Sequence, residues 1–364
     1  MRAAVQFEVP GQLEIVDLEV DDPGPREVLI QVAASGLCHS DLHFLEGKYH
    51  TDLPCVLGHE AAGIVLSVGR DVTYLRPGDH VITCLSSFCG TCAFCVTGRP
   101  YLCNRQGLER SPDEKPRLSF DGQRVNQFAR LGAFAEQMLV HENSTVTITK
   151  EMPLDRAALV GCAVTTGVGA VTNTARIPLG ATVAILGCGG VGLNAVQGAA
   201  MAGAGKVIAI DKLAWKLDLA RQYGATDVVD ASEEDAVEAV LNIVPGGVDY
   251  AFEAIGLKSA AEQAFRMLGK GGSAVIVGMI PEGEMIEVSG ELLMGDGKSL
   301  LGSNMGSNRF RVDIPKYVAA YLAGDLKLDE LVSRTISLDE VNDGYAALNR
   351  GEVARSVIVF DGVN

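Results

Sequence analysis

Residues 182–192 constrain the fold of this 364-residue chain more than any other stretch. Thr182-Val-Ala-Ile-Leu186 is a strand-like apolar run that passes into Gly187-Cys-Gly189-Gly-Val-Gly192 and then into a small-residue helical stretch, Leu193 to Ala202. A strand, glycine turn and helix in that order form the first unit of a parallel βαβ sheet. The first glycine permits a tight turn, the second lets the backbone approach a pyrophosphate, and the third lets the helix close on the strand. The helix N-terminus then offers unpaired N–H groups and a positive dipole end to phosphates. Asp211 closes the next apolar run about 20 residues on, where a carboxylate can accept from both hydroxyls of a ribose. Its charge would repel a 2′-phosphate, so the pattern predicts NAD rather than NADP. Lys212, a flexible cation beside the acid, leaves some allowance for NADP.

The same period continues on either side. Apolar runs at Thr182 to Leu186, Lys206 to Ile210, Asp227 to Asp230, Asp249 to Glu253, Ser273 to Val277 and Ser299 to Gly302 alternate with helical segments. Six strands in that pattern predict an α/β fold, a doubly wound parallel six-stranded sheet over residues 164–304. Residues 1–163 differ, with short alternating runs such as Glu27-Val-Leu-Ile-Gln-Val-Ala33 and Ala61-Ala-Gly-Ile-Val-Leu-Ser-Val68 punctuated by glycine and proline. They predict an antiparallel β-rich domain. The tail, 305–364, holds a helix around Ile314 to Ala323 and a strand-like Ser356-Val-Ile-Val-Phe360, and is expected to complete that first domain. Asn104 to Arg130 is polar and aperiodic and admits two readings, a mobile surface loop or an ordered lobe beside the active site.

The net charge of −16 argues against nucleic acid or an anionic membrane as a partner. No run approaches the roughly 18 apolar residues of a membrane span. The first twenty residues carry scattered acids and no continuous apolar core, so a cytoplasmic location is expected. In that setting nine cysteines point to metal-bound thiolates rather than disulfides.

Cys89, Cys92, Cys95 and Cys103 form C-x2-C-x2-C-x7-C on one short stretch. Four thiolates satisfy tetrahedral zinc and leave no open position, so this reads as a structural site; an iron–sulfur cluster is the alternative. A second group is dispersed: Cys38 in Gly36-Leu-Cys-His-Ser-Asp-Leu-His43, His59 in Gly58-His-Glu60, and Cys162 in Gly161-Cys-Ala-Val-Thr-Thr-Gly167. Spacing alone does not join these three.

Taken in order along the chain, GLCHSDLH, GHE, the four-cysteine loop, GCAVTTG and GCGGVG resemble the motifs of zinc-dependent medium-chain alcohol dehydrogenases, and the resemblance covers essentially the whole chain. It implies a GroES-like catalytic domain beside a Rossmann domain, two zinc ions per chain and NAD. It implies that Cys38, His59 and Cys162 hold the catalytic zinc; polyol dehydrogenases would place a glutamate in the third role. Two thiolates and an imidazole leave a near-neutral Lewis acid with one open position. Because zinc lowers the pKa of bound water from 15.7 to about 7, an alcohol held there would become an alkoxide and pass hydride to the nicotinamide. The resemblance further implies that Asp41 and Glu60 support or exchange with the ligands, and that Ser40 and His43 relay the proton. It assigns His39, Thr166, Gly190, Val191, Lys216, Val277 and Arg355 to the cofactor.

Substrate positions implied by the same resemblance are Tyr49, Cys84, Leu85 and Leu108, an apolar set suited to an aliphatic, terpenoid or aromatic alcohol or its aldehyde. The long Asn104 to Arg130 segment resembles that of liver-type enzymes and implies a homodimer. S-(hydroxymethyl)glutathione dehydrogenases share this length, but they use an acid and an arginine where this chain has Tyr49 and Gly107. A carrier that merely binds NAD is the non-enzymatic alternative; it would need the glycine loop but not three zinc ligands and a relay.

Overall fold

The computed structural model describes residues 1–362, in two compact units. The first comprises Met1–Cys162 together with the chain from Arg309 on, and the second Ala163–Asn308.

The second unit is the doubly wound sheet. Strands Thr182–Leu186, Lys206–Asp211, Asp227–Asp230, Val248–Glu253, Leu268–Ile276 and Ser299–Gly302 are all parallel. Numbered along the chain, they lie in the order 3-2-1-4-5-6. Their apolar faces and helices Ala236–Ile243 and Lys258–Arg266 share one core around Ile208, Val240, Phe265 and Leu268. The helix after the glycine turn begins at Gly190 rather than Leu193, because the turn's own glycines provide its first residues. The fifth strand is longer than its apolar run suggests, reaching back to Leu268 through a register shift near Tyr250.

The first unit contains two sheets. One is mainly antiparallel and centres on Glu27–Gly36, which pairs with Glu60–Val68, Gln137–His141 and Arg355–Val359. The C-terminal strand therefore lies within this unit, with helix Phe310–Ala323 preceding it. The other sheet contains the hairpin Leu118–Phe120 and Gln123–Gln127. Asn104 to Arg130 is thus an ordered lobe, not a bare loop. Its anchor is Glu27, which accepts from Arg110 Nη2 at 2.5 Å and from Arg117 Nε at 2.7 Å with all three side chains largely buried. Arg110 also holds Asp21 at 2.6 Å.

The expectation that no stretch is long and apolar enough to span a membrane is corrected. The helix Leu154–Ala175 meets that test by length and composition. Its most apolar window is 89% buried within the protein, so its apolarity belongs to core packing.

Candidate metal centres and nucleotide loop

The dispersed ligands meet because two paired strands end together. Gly36 is opposite Glu60 in the ladder, so Cys38, two residues past one strand, and His59, just before the other, emerge side by side. Gly36 has no side chain for a steric reason: a Cβ there would lie 2.5 Å from Glu60 Oε2. Cys162 arrives on a π-helical turn, Val160–Val164, a distortion frequent at functional sites because it re-aims side chains. Ligand atoms of Cys38, His59, Glu60 and Cys162 all lie within 4.8 Å of one another, and all four residues are buried. His59 Nε2 is 3.3 Å from Cys162 Sγ, while its Nδ1 faces Asp41 Oδ1 at 3.0 Å. The same carboxylate oxygen accepts the Gly58 N–H at 3.0 Å, which fixes the ring's orientation.

The electrostatics are those of an ionised cluster. The Cys162 thiol donates to Cys38 and, with Arg355 and His59 also helping against burial, holds the Cys38 thiol well below its usual range. Cys162 is correspondingly pushed up. Burial opposes protonation of His59, but Asp41 and Cys38 outweigh it and raise the imidazole. Burial raises Glu60 to about 8 against the pull of Arg355, whose Nη1 is 3.6 Å from Glu60 Oε1. Burial likewise raises Asp41. Neither Glu60 oxygen has a hydrogen-bond partner among the described residues, although both are buried. Two thiols, an imidazole and an orphaned carboxylate around one point fit a divalent zinc-type ion, which would displace the thiol proton shared by the cysteines.

The second set is local. Cys89, Cys92, Cys95 and Cys103 also bring their sulfurs within 4.8 Å, with separations of 3.9 Å for 89–95, 3.6 Å for 92–95 and 3.8 Å for 92–103. These match the edge of a tetrahedron with Zn–S bonds of about 2.3 Å, roughly 3.8 Å, and are far beyond a disulfide bond. Backbone N–H groups of Cys89 and Arg105 both donate to Cys103 Sγ at 3.1 Å. Cys89 is lowered to about 5 by the Thr91 hydroxyl and by N–H groups of Thr91 and Cys92.

In the second unit, Gly187 adopts φ +94°, a left-handed conformation that favours glycine. A Cβ on Gly192 would lie 1.7 Å from the Gly187 carbonyl oxygen, whereas the space around Gly189 is open. Asp211 ends its strand beside the loop, its Oδ2 accepting the Cys188 N–H at 2.7 Å and its Oδ1 those of Lys212 and Leu213 at 2.8 and 3.0 Å. An open glycine surface and an acid oriented by three N–H donors fit a dinucleotide with free ribose hydroxyls. Gly190 is buried and Val191 half-buried at the start of the helix, while Lys212 is exposed. Lys216 lies over the Trp215 ring at 5.6 Å. Thr166 donates to Met305 Sδ at 3.3 Å, and the Val277 N–H donates to the Glu253 carbonyl at 2.9 Å.

The remaining candidates fall in the first unit. His39, Ser40, Asp41 and His43 share the short helix His39–Leu45, with Ser40 Oγ 3.6 Å from Cys38 Sγ and His39 exposed. The His43 ring stacks on Tyr49 at 6.1 Å, and burial together with Lys48 pushes its pKa down. Arg355 is 3% exposed and donates to the Leu37 carbonyl at 2.9 Å. Cys84 and Leu108 are buried and Leu85 packs on the domain core. Two residues the sequence did not single out, Phe128 and Phe44, cover His59: the Phe128 ring stands edge-on to the imidazole at 5.6 Å, with Phe44 packed on it at 4.6 Å. No spacing motif marks them; only the fold brings them there.

Two metal-fitting clusters and a dinucleotide loop define a zinc- and nicotinamide-dependent dehydrogenase. Comparison with known proteins agrees. Residues 24–150 match the model of the alcohol dehydrogenase GroES-like domain, and residues 190–321 that of the zinc-binding dehydrogenases. The chain is 40% identical, over 99% of both sequences, to an S-(hydroxymethyl)glutathione dehydrogenase of Escherichia coli O139:H28. A solved alcohol dehydrogenase zinc-binding domain protein from Burkholderia ambifaria superimposes with a TM-score of 0.94 at 33% identity, over 99% of this chain and 98% of that one. Benzyl alcohol dehydrogenase from Acinetobacter calcoaceticus gives 0.92 at 34%, over 99% of each. The chain therefore belongs to the zinc-dependent medium-chain alcohol dehydrogenases. It is an oxidoreductase of alcohols and aldehydes with zinc and NAD as cofactors.

Proposed function

We propose that this dehydrogenase interconverts an apolar primary or aromatic alcohol and its aldehyde, with Cys38, His59 and Cys162 holding the catalytic metal and Cys89, Cys92, Cys95 and Cys103 a structural one. The observation that carries the assignment is the buried convergence of Cys38, His59, Glu60 and Cys162. Bound zinc supplies Lewis acidity that makes an alcohol oxygen acidic, and the nicotinamide supplies the hydride acceptor. The chain's residues do the rest. Asp41 orients His59, and Glu60, beside Arg355, is the carboxylate that would be available to exchange with the ligands of a bound metal. Ser40 Oγ takes the hydroxyl proton and His43 passes it outward. The roles that the family implies for His39, Thr166, Gly190, Val191, Lys212, Lys216, Val277 and Arg355 toward the cofactor, and for Tyr49, Cys84, Leu85 and Leu108 toward the substrate, form part of the same proposal.

A second substrate reading has its own support, since the relative at 40% identity is named for S-(hydroxymethyl)glutathione. NADH formation on zinc-quantified protein decides between them, with benzyl and aliphatic alcohols in one arm and formaldehyde plus glutathione in the other. No turnover in either arm would refute the metal-site assignment. We place the enzyme in the cytoplasm, which suits nine free cysteines. We also infer a homodimer, because Ser299–Gly302 is an edge strand in the sheet and Met285 and Met294 nearby in sequence are 75% and 83% exposed. A monomeric mass by light scattering would overturn that.

A further inference from the structure

One residue joins the turns that follow the fourth and fifth strands of the parallel sheet. Glu253 ends Val248–Glu253 and is fully buried. Its Oε1 accepts the N–H groups of Ile255 at 2.8 Å, Gly256 at 2.6 Å and Leu257 at 3.4 Å, which closes the turn after its own strand. Its main-chain carbonyl accepts those of Val277 at 2.9 Å and Gly278 at 3.0 Å, just past the neighbouring strand Leu268–Ile276. The two turns also interlock. A Cβ on Gly278 would lie 2.1 Å from the Gly256 nitrogen and 2.7 Å from Glu253 Oε2, and one on Gly256 would lie 2.5 Å from the Met279 carbonyl oxygen. The first turn in addition abuts the glycine loop, because the Ala254 N–H donates to the Leu186 carbonyl at 2.9 Å and a Cβ on Gly187 would lie 2.5 Å from Ile255 Cγ1.

A carboxyl group is a costly choice for closing a buried turn. Burial pushes Glu253 above its ordinary range, and what opposes it is N–H groups, those of Gly256, Ile255, Leu257 and Gly278, rather than a cation. Oε2 is buried with no hydrogen-bond partner among the described residues. A neutral acceptor would close the same turn with less desolvation, and departures of this kind from local consistency concentrate at functional sites.

The place in the fold says which function. The strand order 3-2-1-4-5-6 reverses between the first and fourth strands, and Leu186 stands opposite Glu253 in that pair. Such a sheet takes a dinucleotide in the crevice outside the carboxyl ends of its strands, one mononucleotide to each half. Asp211 ends the second strand, in the half that takes the adenosine, and Glu253 ends the fourth, in the half left for the nicotinamide.

We propose that Glu253 is a positioning residue for the nicotinamide half of the cofactor: its buried carboxyl group holds the Ala254–Leu257 and Val277–Gly278 turns as one piece against the glycine loop, so that this half of the site is formed before the dinucleotide arrives. It acts through those turns and does not itself touch the cofactor. Affinity is gained because the ordering is completed in advance. The inference rests on the dinucleotide reading of the glycine loop and not on the choice of alcohol.

The test measures binding of NADH and of ADP-ribose, which keeps the adenosine half and lacks the nicotinamide, by calorimetry without alcohol. It uses full-length zinc-loaded enzyme, wild type against Glu253→Ala, Glu253→Asp and Glu253→Gln, with the thermal midpoint recorded for each. Asp keeps the charge but withdraws the acceptor by one methylene, whereas Gln keeps a carbonyl oxygen for the same N–H groups and removes the charge. NADH affinity should fall by about tenfold or more in the Ala and Asp variants and by less than about threefold in Gln, while ADP-ribose affinity changes by less than about threefold in all. If the Ala variant does not fold, the contrast between Asp and Gln carries the same information. A merely structural role would lower the thermal midpoint and weaken both ligands alike. Equal proportional losses for the two ligands, an NADH loss below about threefold in Asp, or a loss in Gln as large as that in Asp overturns the proposal. Wild-type enzyme that binds neither ligand sinks the dinucleotide reading and this inference with it. Because no alcohol is present, failure of the substrate reading leaves the result unaltered.

Discussion

Asp211→Gly gives the sharpest test of cofactor choice, because the structure shows what that carboxylate does besides carrying charge. Its Oδ2 accepts one N–H, from Cys188, and its Oδ1 accepts two, from Lys212 and Leu213. A carboxylate oxygen has about two lone-pair sites, so Oδ2 keeps an acceptor position for a ribose hydroxyl while its orientation is already fixed. A hydrogen bond to a charged group contributes about 1.5–3 kcal/mol, so kcat/KM for NAD should fall by about 10- to 150-fold in Asp211→Gly. NADP should improve at the same time, since the anion that repels its 2′-phosphate is gone. Asp211→Asn separates the two effects in part, because its one oxygen can still accept the Cys188 N–H while the charge is removed, but its amide nitrogen cannot accept the N–H groups of Lys212 and Leu213. It should admit NADP with a smaller loss of NAD, at a measurable loss of thermal stability. The assay varies each dinucleotide at saturating alcohol and compares the ratios of kcat/KM. Wild-type preference for NADP, or a ratio that moves by less than about threefold in Asp211→Gly, would refute the reasoning.

Metal analysis should return about two zinc ions per chain. Cys38→Ser should lose one of them together with activity while the fold survives, whereas Cys92→Ser should lower the thermal midpoint because a closed site contributes to folding; equal effects would contradict the division. Ser40→Ala should slow alcohol oxidation by about 10²- to 10⁴-fold with zinc retained, and His43→Gln should be milder and rescued by imidazole buffer. Because burial and Lys48 hold His43 below its ordinary pKa, the acid limb of kcat/KM that it sets should lie below about pH 6.5, and a limb above that value would exclude it. His141, whose Nδ1 accepts the Asn143 N–H at 3.0 Å, is held near 4 by burial and by Arg26 and Arg117. The unfolded chain then takes up its proton first, so stability should be complete above about pH 6.5 and fall by up to about 3 kcal/mol as pH drops to 4, a slope that urea titrations should find flattened in His141→Gln.

How much of this was legible in the sequence follows from how far each interaction reaches along the chain. The four-cysteine site is written within fifteen residues, and its donors come from one turn of backbone, so spacing alone announced it. The glycine loop is local as well, and Gly187, Gly192 and Asp211 each occupy the place their residue types imply. The catalytic set is different in kind. His59 and Cys162 are 103 residues apart, and they meet only because the strands bearing Gly36 and Glu60 pair and a π-helical turn carries Cys162 to them. No local pattern encodes that meeting, so only resemblance to a family joined the ligands. Where neither spacing nor resemblance applied, the sequence was silent. Glu27 sits in an ordinary alternating strand, and nothing local shows that it is the counter-ion for arginines 83 and 90 residues on. That pairing, together with the hairpin Leu118–Phe120 and Gln123–Gln127, accounts for the order of Asn104–Arg130 despite its polar, aperiodic composition. Leu118 and Val125 add apolar contacts to the cluster around Val5 and Val56, but the polar remainder of the lobe is held by buried charge, and buried charge demands near-complete pairing. Arg110 and Arg117 meet that demand within the fold, whereas Arg105 Nε is buried with no hydrogen-bond partner among the described residues, and the difference between them exists only in three dimensions.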